Sequence, residues 1–166
     1  MMTLMKEGKP TTFPSKSLST IWLIDDDLDE FYLVQAALGK VDPAIELRFT
    51  LGCIDVKDLQ QHVDLILLDI NMPTKDGFAC LKMMFDNGYS HIPIVMYSNS
   101  AAPTQISKAY DEGASLYFIK PDGFVELING LEKMISLNWS DPEEIKKEYG
   151  QANNYKTLNM AMAEKE

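Results

Sequence analysis

Short apolar runs alternate with segments of helical period along most of the chain. Ile21–Ile24, Leu65–Leu68 and Leu116–Ile119 are continuous apolar runs, the pattern of strands buried on both faces of a sheet. Ile92–Tyr97 has the same character, whereas Ile45–Phe49 alternates apolar with polar residues and belongs at a sheet edge. Between these runs lie the helical segments. Leu28–Leu38 places Leu28, Phe31 and Val34 on one stripe and stops at Gly39. Asp55–His62 reads as a short, weak helix, Phe78–Phe85 closes at Asn87-Gly88, and Gln105–Tyr110 closes at Gly113. Phe124–Leu137 is the strongest, with Phe124, Leu127, Ile128, Leu131, Met134 and Ile135 on one face. Five strands alternating with five helices predict an α/β domain whose parallel sheet is covered on both faces.

This pattern occupies residues 20–139, read as one domain. Residues 1–19 are rich in Pro, Thr, Ser and Lys and are expected to form a flexible lead-in. The tail, 140–166, opens with Ser-Asp-Pro-Glu-Glu, a helix start that predicts a short helix to about Tyr149.

The polar residue that stops each strand carries the chemistry. Ile21–Ile24 ends in Asp25-Asp26-Asp27, Leu65–Leu68 in Asp69, Ile92–Tyr97 in Ser98, and Leu116–Ile119 in Lys120. In an open parallel sheet the carboxyl ends of the strands share one edge, where ligands bind. Carboxylates, a hydroxyl and an ammonium from distant parts of the chain are therefore expected in one crevice. Clustered carboxylates repel unless positive charge compensates. A hard divalent cation does so well, and Mg²⁺ is commonly held by one or two carboxylates together with waters and a phosphate. Asp25, Asp26 and Asp69 are candidate ligands, and Ser98 and Lys120 are candidate contacts for phosphoryl oxygens, the equipment for phosphoryl transfer to an aspartate.

Composition narrows the setting. A chain of 166 residues, 46% hydrophobic and 24% charged, fits one globular domain that needs no disulfide or metal staple. Cys53 and Cys80 follow no metal-ligand spacing; one bridge between them is the alternative, and two reduced thiols are expected. A net charge of −10 argues against a nucleic-acid surface. No stretch approaches the roughly 18 apolar residues of a membrane span, and the N-terminus has no apolar signal region, so a cytoplasmic protein is expected. His62 and His91 lack matching ligands and are read as structural, and the methionines as core filling or loose tail.

The segments IWLIDDD, LILLDINMPTKDG, IPIVMYS and YFIKP, in this order between Ile21 and Trp139, resemble the four signature segments of response-regulator receiver domains. The resemblance implies a flavodoxin-like, doubly wound sheet of order 2-1-3-4-5. It implies that Asp69 accepts a phosphoryl group from a histidine kinase or phosphotransfer protein in a Mg²⁺-dependent reaction. Asp25 and Asp26 become the acidic metal pair, with Asp27 outside it, and Asn71 offers its backbone carbonyl to the cation. Ser98 and Lys120 contact the phosphoryl group, and Ser98 and Tyr117 form the switch. Pro121 follows a cis bond. Asn99 departs from the family, which carries Ala or Gly there, and is expected to gate access to Asp69. Such a protein is a signalling acceptor rather than an enzyme. Residues 140–166 are too few for a large output domain, so a stand-alone regulator is expected, acting on an unidentified protein target, with dimerisation on phosphorylation left open. Two alternatives stand beside this reading: a pseudo-receiver that binds partners without phosphorylation, and a haloacid-dehalogenase-like phosphatase using Asp25-x-Asp27. The second lacks the hydroxyl residue expected after the motif, where Leu28 and Asp29 stand.

Overall fold

A computed structural model describes residues 17–53, 62–73 and 75–163. The apolar runs become strands β1 (Thr20–Asp25), β2 (Glu46–Leu51), β3 (Leu65–Leu68), β4 (Ile94–Ser98) and β5 (Leu116–Ile119). They form one parallel sheet of order β2-β1-β3-β4-β5. β1, β3 and β4 are buried throughout, as continuous apolar runs require. β2, with its alternating sequence, is the partly exposed edge.

Helices α1 (Leu28–Val41), α2 (Gly77–Asp86), α3 (Pro103–Asp111) and α4 (Phe124–Ser136) follow β1, β3, β4 and β5. α1 and α4 pack against each other, each burying one stripe: Val34, Ala37 and Leu38 from α1, and Leu127, Leu131 and Met134 from α4. Residues 55–61 of the helix expected over Asp55–His62, and the lead-in through residue 16, lie outside the described residues.

The tail holds more order than its polar sequence suggests. Helix α5 (Pro142–Tyr149) starts where Asp141 accepts the Glu144 N–H at 3.2 Å. A two-stranded antiparallel ribbon follows, β6 (Gly150–Gln151) and β7 (Asn154–Tyr155), then a short helix, α6 (Leu158–Ala163). This segment seals the outer edge of β5. The Asn159 amide accepts the Ile119 N–H at 2.8 Å and donates to the Ile119 carbonyl at 3.0 Å. The Tyr110 hydroxyl accepts the Tyr117 N–H at 3.0 Å and donates to the Lys156 carbonyl at 2.6 Å. An edge strand presents unpaired donors that invite another chain; here side chains satisfy them.

The cysteines correct the expectation of free thiols: Cys53 and Cys80 form a disulfide with their Cα atoms 6.0 Å apart. The parallel arrangement brings the end of β2 beside the first turns of α2, a proximity invisible in a sequence separation of 27. Among the described residues no helix is long and apolar enough to cross a membrane.

Candidate functional site

The strand ends converge as the topology requires. Asp25 closes β1, Asp69 follows β3, Ser98 closes β4 and Lys120 follows β5. The ladder fixes their relative height: the Asp69 N–H donates to the Ile24 carbonyl at 2.9 Å, and the Lys120 N–H to the Ser98 carbonyl at 2.8 Å.

Behind Asp69 the chain doubles back tightly. The Gly77 N–H donates to the Ile70 carbonyl at 2.7 Å, and Asp76 caps α2 by accepting the Ala79 N–H at 2.9 Å. A side chain at Gly77 would collide with the Asp69 carbonyl oxygen, so only glycine permits this approach. The close of LILLDINMPTKDG thus buttresses the backbone that carries Asp69.

Carboxylate oxygens of Asp25, Asp26 and Asp69 all lie within 4.8 Å of one another. Asp25 and Asp69 are buried and Asp26 is exposed. The Lys120 ammonium, itself buried, donates to Asp25 Oδ2 at 2.9 Å and stands 3.6 Å from Asp69 Oδ1. The other Asp25 oxygen accepts the Asp27 N–H at 3.0 Å. Burial pushes the Asp69 carboxyl up to about 7; Lys120 opposes the rise, Asp25 and Asp26 add to it, and the Asn71 N–H opposes it. Burial likewise raises Asp25 against the pull of Lys120. For Lys120, burial works to lower the ammonium, but Asp25, Asp69 and Glu30 outweigh it and hold it above the ordinary lysine value.

The donor set fits a hard divalent cation: carboxylate oxygens from three aspartates, one of them open to solvent, with no nitrogen or sulfur ligand among them. Asn71 is exposed beside Asp69. Tyr117 is fully buried, and its hydroxyl donates to the Ser100 carbonyl at 2.8 Å within reach of the Ser98 side chain. The Ser98 hydroxyl accepts the Ser100 N–H at 3.1 Å, and Asn99 between them is exposed.

One expected feature is corrected. No described peptide bond is cis, so Lys120–Pro121 is trans. The trans form is the intrinsically favoured one, by about 0.5–1 kcal/mol. Asn159 holds both backbone groups of Ile119 and the Ser98 carbonyl holds the Lys120 N–H, so Lys120 reaches Asp25 without isomerisation.

Two residues of the site escape a reading of strand ends. Glu30 lies on the first turn of α1 and extends a carboxylate oxygen to 4.0 Å from Lys120. Tyr97, just before Ser98, donates its hydroxyl to Glu30 at 3.4 Å and places its ring 5.4 Å from the Lys120 ammonium. In the sequence Glu30 looks like one more acid of a helix start, and Tyr97 like one more apolar strand residue.

The family model for the response regulator receiver domain matches residues 21–132, and the chain belongs to that family. Hybrid signal transduction histidine kinase M of Dictyostelium discoideum is 28% identical over 121 residues, covering 69% of this chain and 5% of the kinase. Two-component response regulator ORR3 of Oryza sativa subsp. indica is 35% identical over 69 residues, covering 41% of this chain and 53% of that protein. The chain therefore spans about half, or far less, of the length of these relatives. The crystal structure of the phosphorylated cyanobacterial phytochrome response regulator RcpA superposes with a TM-score of 0.63 at 26% identity, covering 74% of this chain and 95% of that one.

Proposed function

We propose that this receiver domain accepts a phosphoryl group on Asp69 from the phosphohistidine of a kinase or phosphotransfer protein, and signals through contact with another protein. One observation carries the reading: three strand-end aspartates converge within 4.8 Å, with a buried ammonium 3.6 Å from Asp69. An Asp69 oxygen attacks phosphorus in line, the donor's P–N bond breaks, and the imidazole leaves with a proton from solvent. Asp25, Asp26, Asp69 and the Asn71 carbonyl would hold Mg²⁺, which supplies positive charge that keeps Asp69 ionised and offsets charge on the phosphoryl oxygens. Lys120 and Ser98 contact the remaining oxygens. Tyr117, bonded at Ser100, reports the new state of Ser98. Asn99, exposed next to Ser98, screens the approach of water and of small donors.

Incubation with acetyl phosphate and Mg²⁺, read by intact-mass spectrometry, tests this. The expected result is a single phosphoryl adduct in the wild type and none in Asp69→Asn. Asp26→Ala should weaken Mg²⁺ binding strongly and Asp27→Ala much less. A full-yield adduct in Asp69→Asn would refute the assignment. A wild type that binds Mg²⁺ yet takes up no phosphoryl group would favour the pseudo-receiver.

A further inference from the structure

Lys120 sits among three carboxylates, and Glu30 is the one for which the acceptor chemistry has no other use. Asp25 and Asp69 are both candidate cation ligands, and Asp69 gives up its free charge once it carries a phosphoryl group. Glu30 Oε2 stands 4.0 Å from the ammonium, and its side chain is only 19% exposed. The Tyr97 hydroxyl donates to the other oxygen, Oε1, at 3.4 Å. Tyr97 is buried, and the face of its ring lies toward the same ammonium, 5.4 Å away.

The ordinary roles for a glutamate at this position do not explain the geometry. Asp27-Leu28-Asp29-Glu30 has the spacing of a capping box, in which Glu30 would reach back to the N–H of the cap residue. That N–H, on Asp27, is already taken by Asp25 Oδ1 at 3.0 Å. A charge placed only to complement the helix dipole gains nothing by turning inward. Asp29, on the same turn, serves that purpose while remaining exposed.

We infer that Glu30, steered by the Tyr97 hydroxyl, is a positioning residue for Lys120. It holds the ammonium toward the phosphoryl oxygens when Asp25 is committed to the cation and Asp69 to the phosphoryl group. The inference rests on Asp69 as acceptor and adds a residue to that reaction. Glu30 touches neither the cation nor the phosphoryl group and acts through the lysine alone.

The test is a double-mutant cycle on the 166-residue chain, with the rate of phosphorylation by acetyl phosphate measured at saturating Mg²⁺. Glu30→Gln keeps the shape of the side chain and should slow the wild-type rate about five- to tenfold, less than loss of a direct charged hydrogen bond because the oxygen stands 4.0 Å from the ammonium. In a Lys120→Ala background the same change should have no further effect, because the group it positions is gone. Tyr97→Phe, which retains the ring and removes the hydroxyl, should slow the reaction in the same direction by less. Mg²⁺ affinity by calorimetry should stay within about twofold, because Glu30 is outside the ligand set. Thermal melts check that each variant is folded. An unchanged rate in Glu30→Gln overturns the inference. So does an equal loss with and without Lys120, or a loss that follows Mg²⁺ affinity, since either marks a structural or metal-site role. A wild type that takes up no phosphoryl group would instead overturn the acceptor reading, and this inference with it.

Discussion

Asp69 is a carboxylate that the fold makes reluctant to ionise, with consequences for stability. In the unfolded chain an aspartate titrates near 3.8; in the fold Asp69 does so at about 7, chiefly through burial. Between those pH values the folded state keeps a proton that the unfolded state has released, so the contribution of Asp69 to stability falls as pH rises through the window. Asp69→Asn mimics the protonated acid at every pH. Near pH 4 wild type and variant should therefore be similarly stable. At pH 8, with divalent cations chelated, the variant should be more stable by about 2–4 kcal/mol. Mg²⁺ should recover much of that deficit in the wild type and little in the variant. Urea unfolding at both pH values, with and without chelator, measures this. A difference independent of pH would mean that the folded state does not perturb Asp69.

At the scale of elements, β5 is the strand whose environment is least ordinary. One side pairs with β4, and on the other the Tyr117 and Ile119 N–H groups are met by Tyr110 and Asn159 side chains. Asn159 reproduces with one amide both bonds that a further strand would make to Ile119. It also anchors the residue directly before Lys120, coupling the tail to the edge of the site. Asn159→Ala leaves a donor and an acceptor without partners and should cost about 1–3 kcal/mol. For a chain of this size that lowers the melting temperature by about 2–10 °C. Calorimetry reads the shift, and an unchanged melting temperature would show that water replaces the amide at no cost.

Across the whole molecule, the disulfide joins what the sheet brings together. Its loop contains β3 and Asp69, so the cross-link constrains in the unfolded chain the segment that carries the candidate acceptor. For a separation of 27 residues, the loss of unfolded-state entropy corresponds to about 3.5 kcal/mol. Reduction with a phosphine, or the paired change Cys53→Ala with Cys80→Ala, should lower stability by an amount of that order. Denaturant titration under oxidising and reducing conditions checks it. Equal midpoints would indicate that the thiols are reduced in solution.

Local chemistry made the strands and the strand-end site legible in the sequence, whereas the strand order came from the family resemblance and agrees with the fold. A run such as Leu65–Leu68 can satisfy its side chains only in the interior, and a charged residue after it must lie at the sheet edge where the ligand crevice forms. With four such ends, the grouping of Asp25, Asp69, Ser98 and Lys120 follows from topology alone. Glu30 and Tyr97 were not legible, because their roles depend on where a helix start and a strand face lie relative to a lysine about 90 and 23 residues further on. The same reason hid the Cys53–Cys80 bridge and the clasp of Asn159 on Ile119. Each is a pairing across distant segments, made by side-chain geometry rather than by any periodicity. The Lys120–Pro121 bond shows the converse: resemblance pointed to cis, and the hydrogen bonds of this chain deliver the lysine in trans. Hydrophobic burial wrote the fold into the sequence, whereas contacts between segments far apart in the chain were decided only when the fold closed.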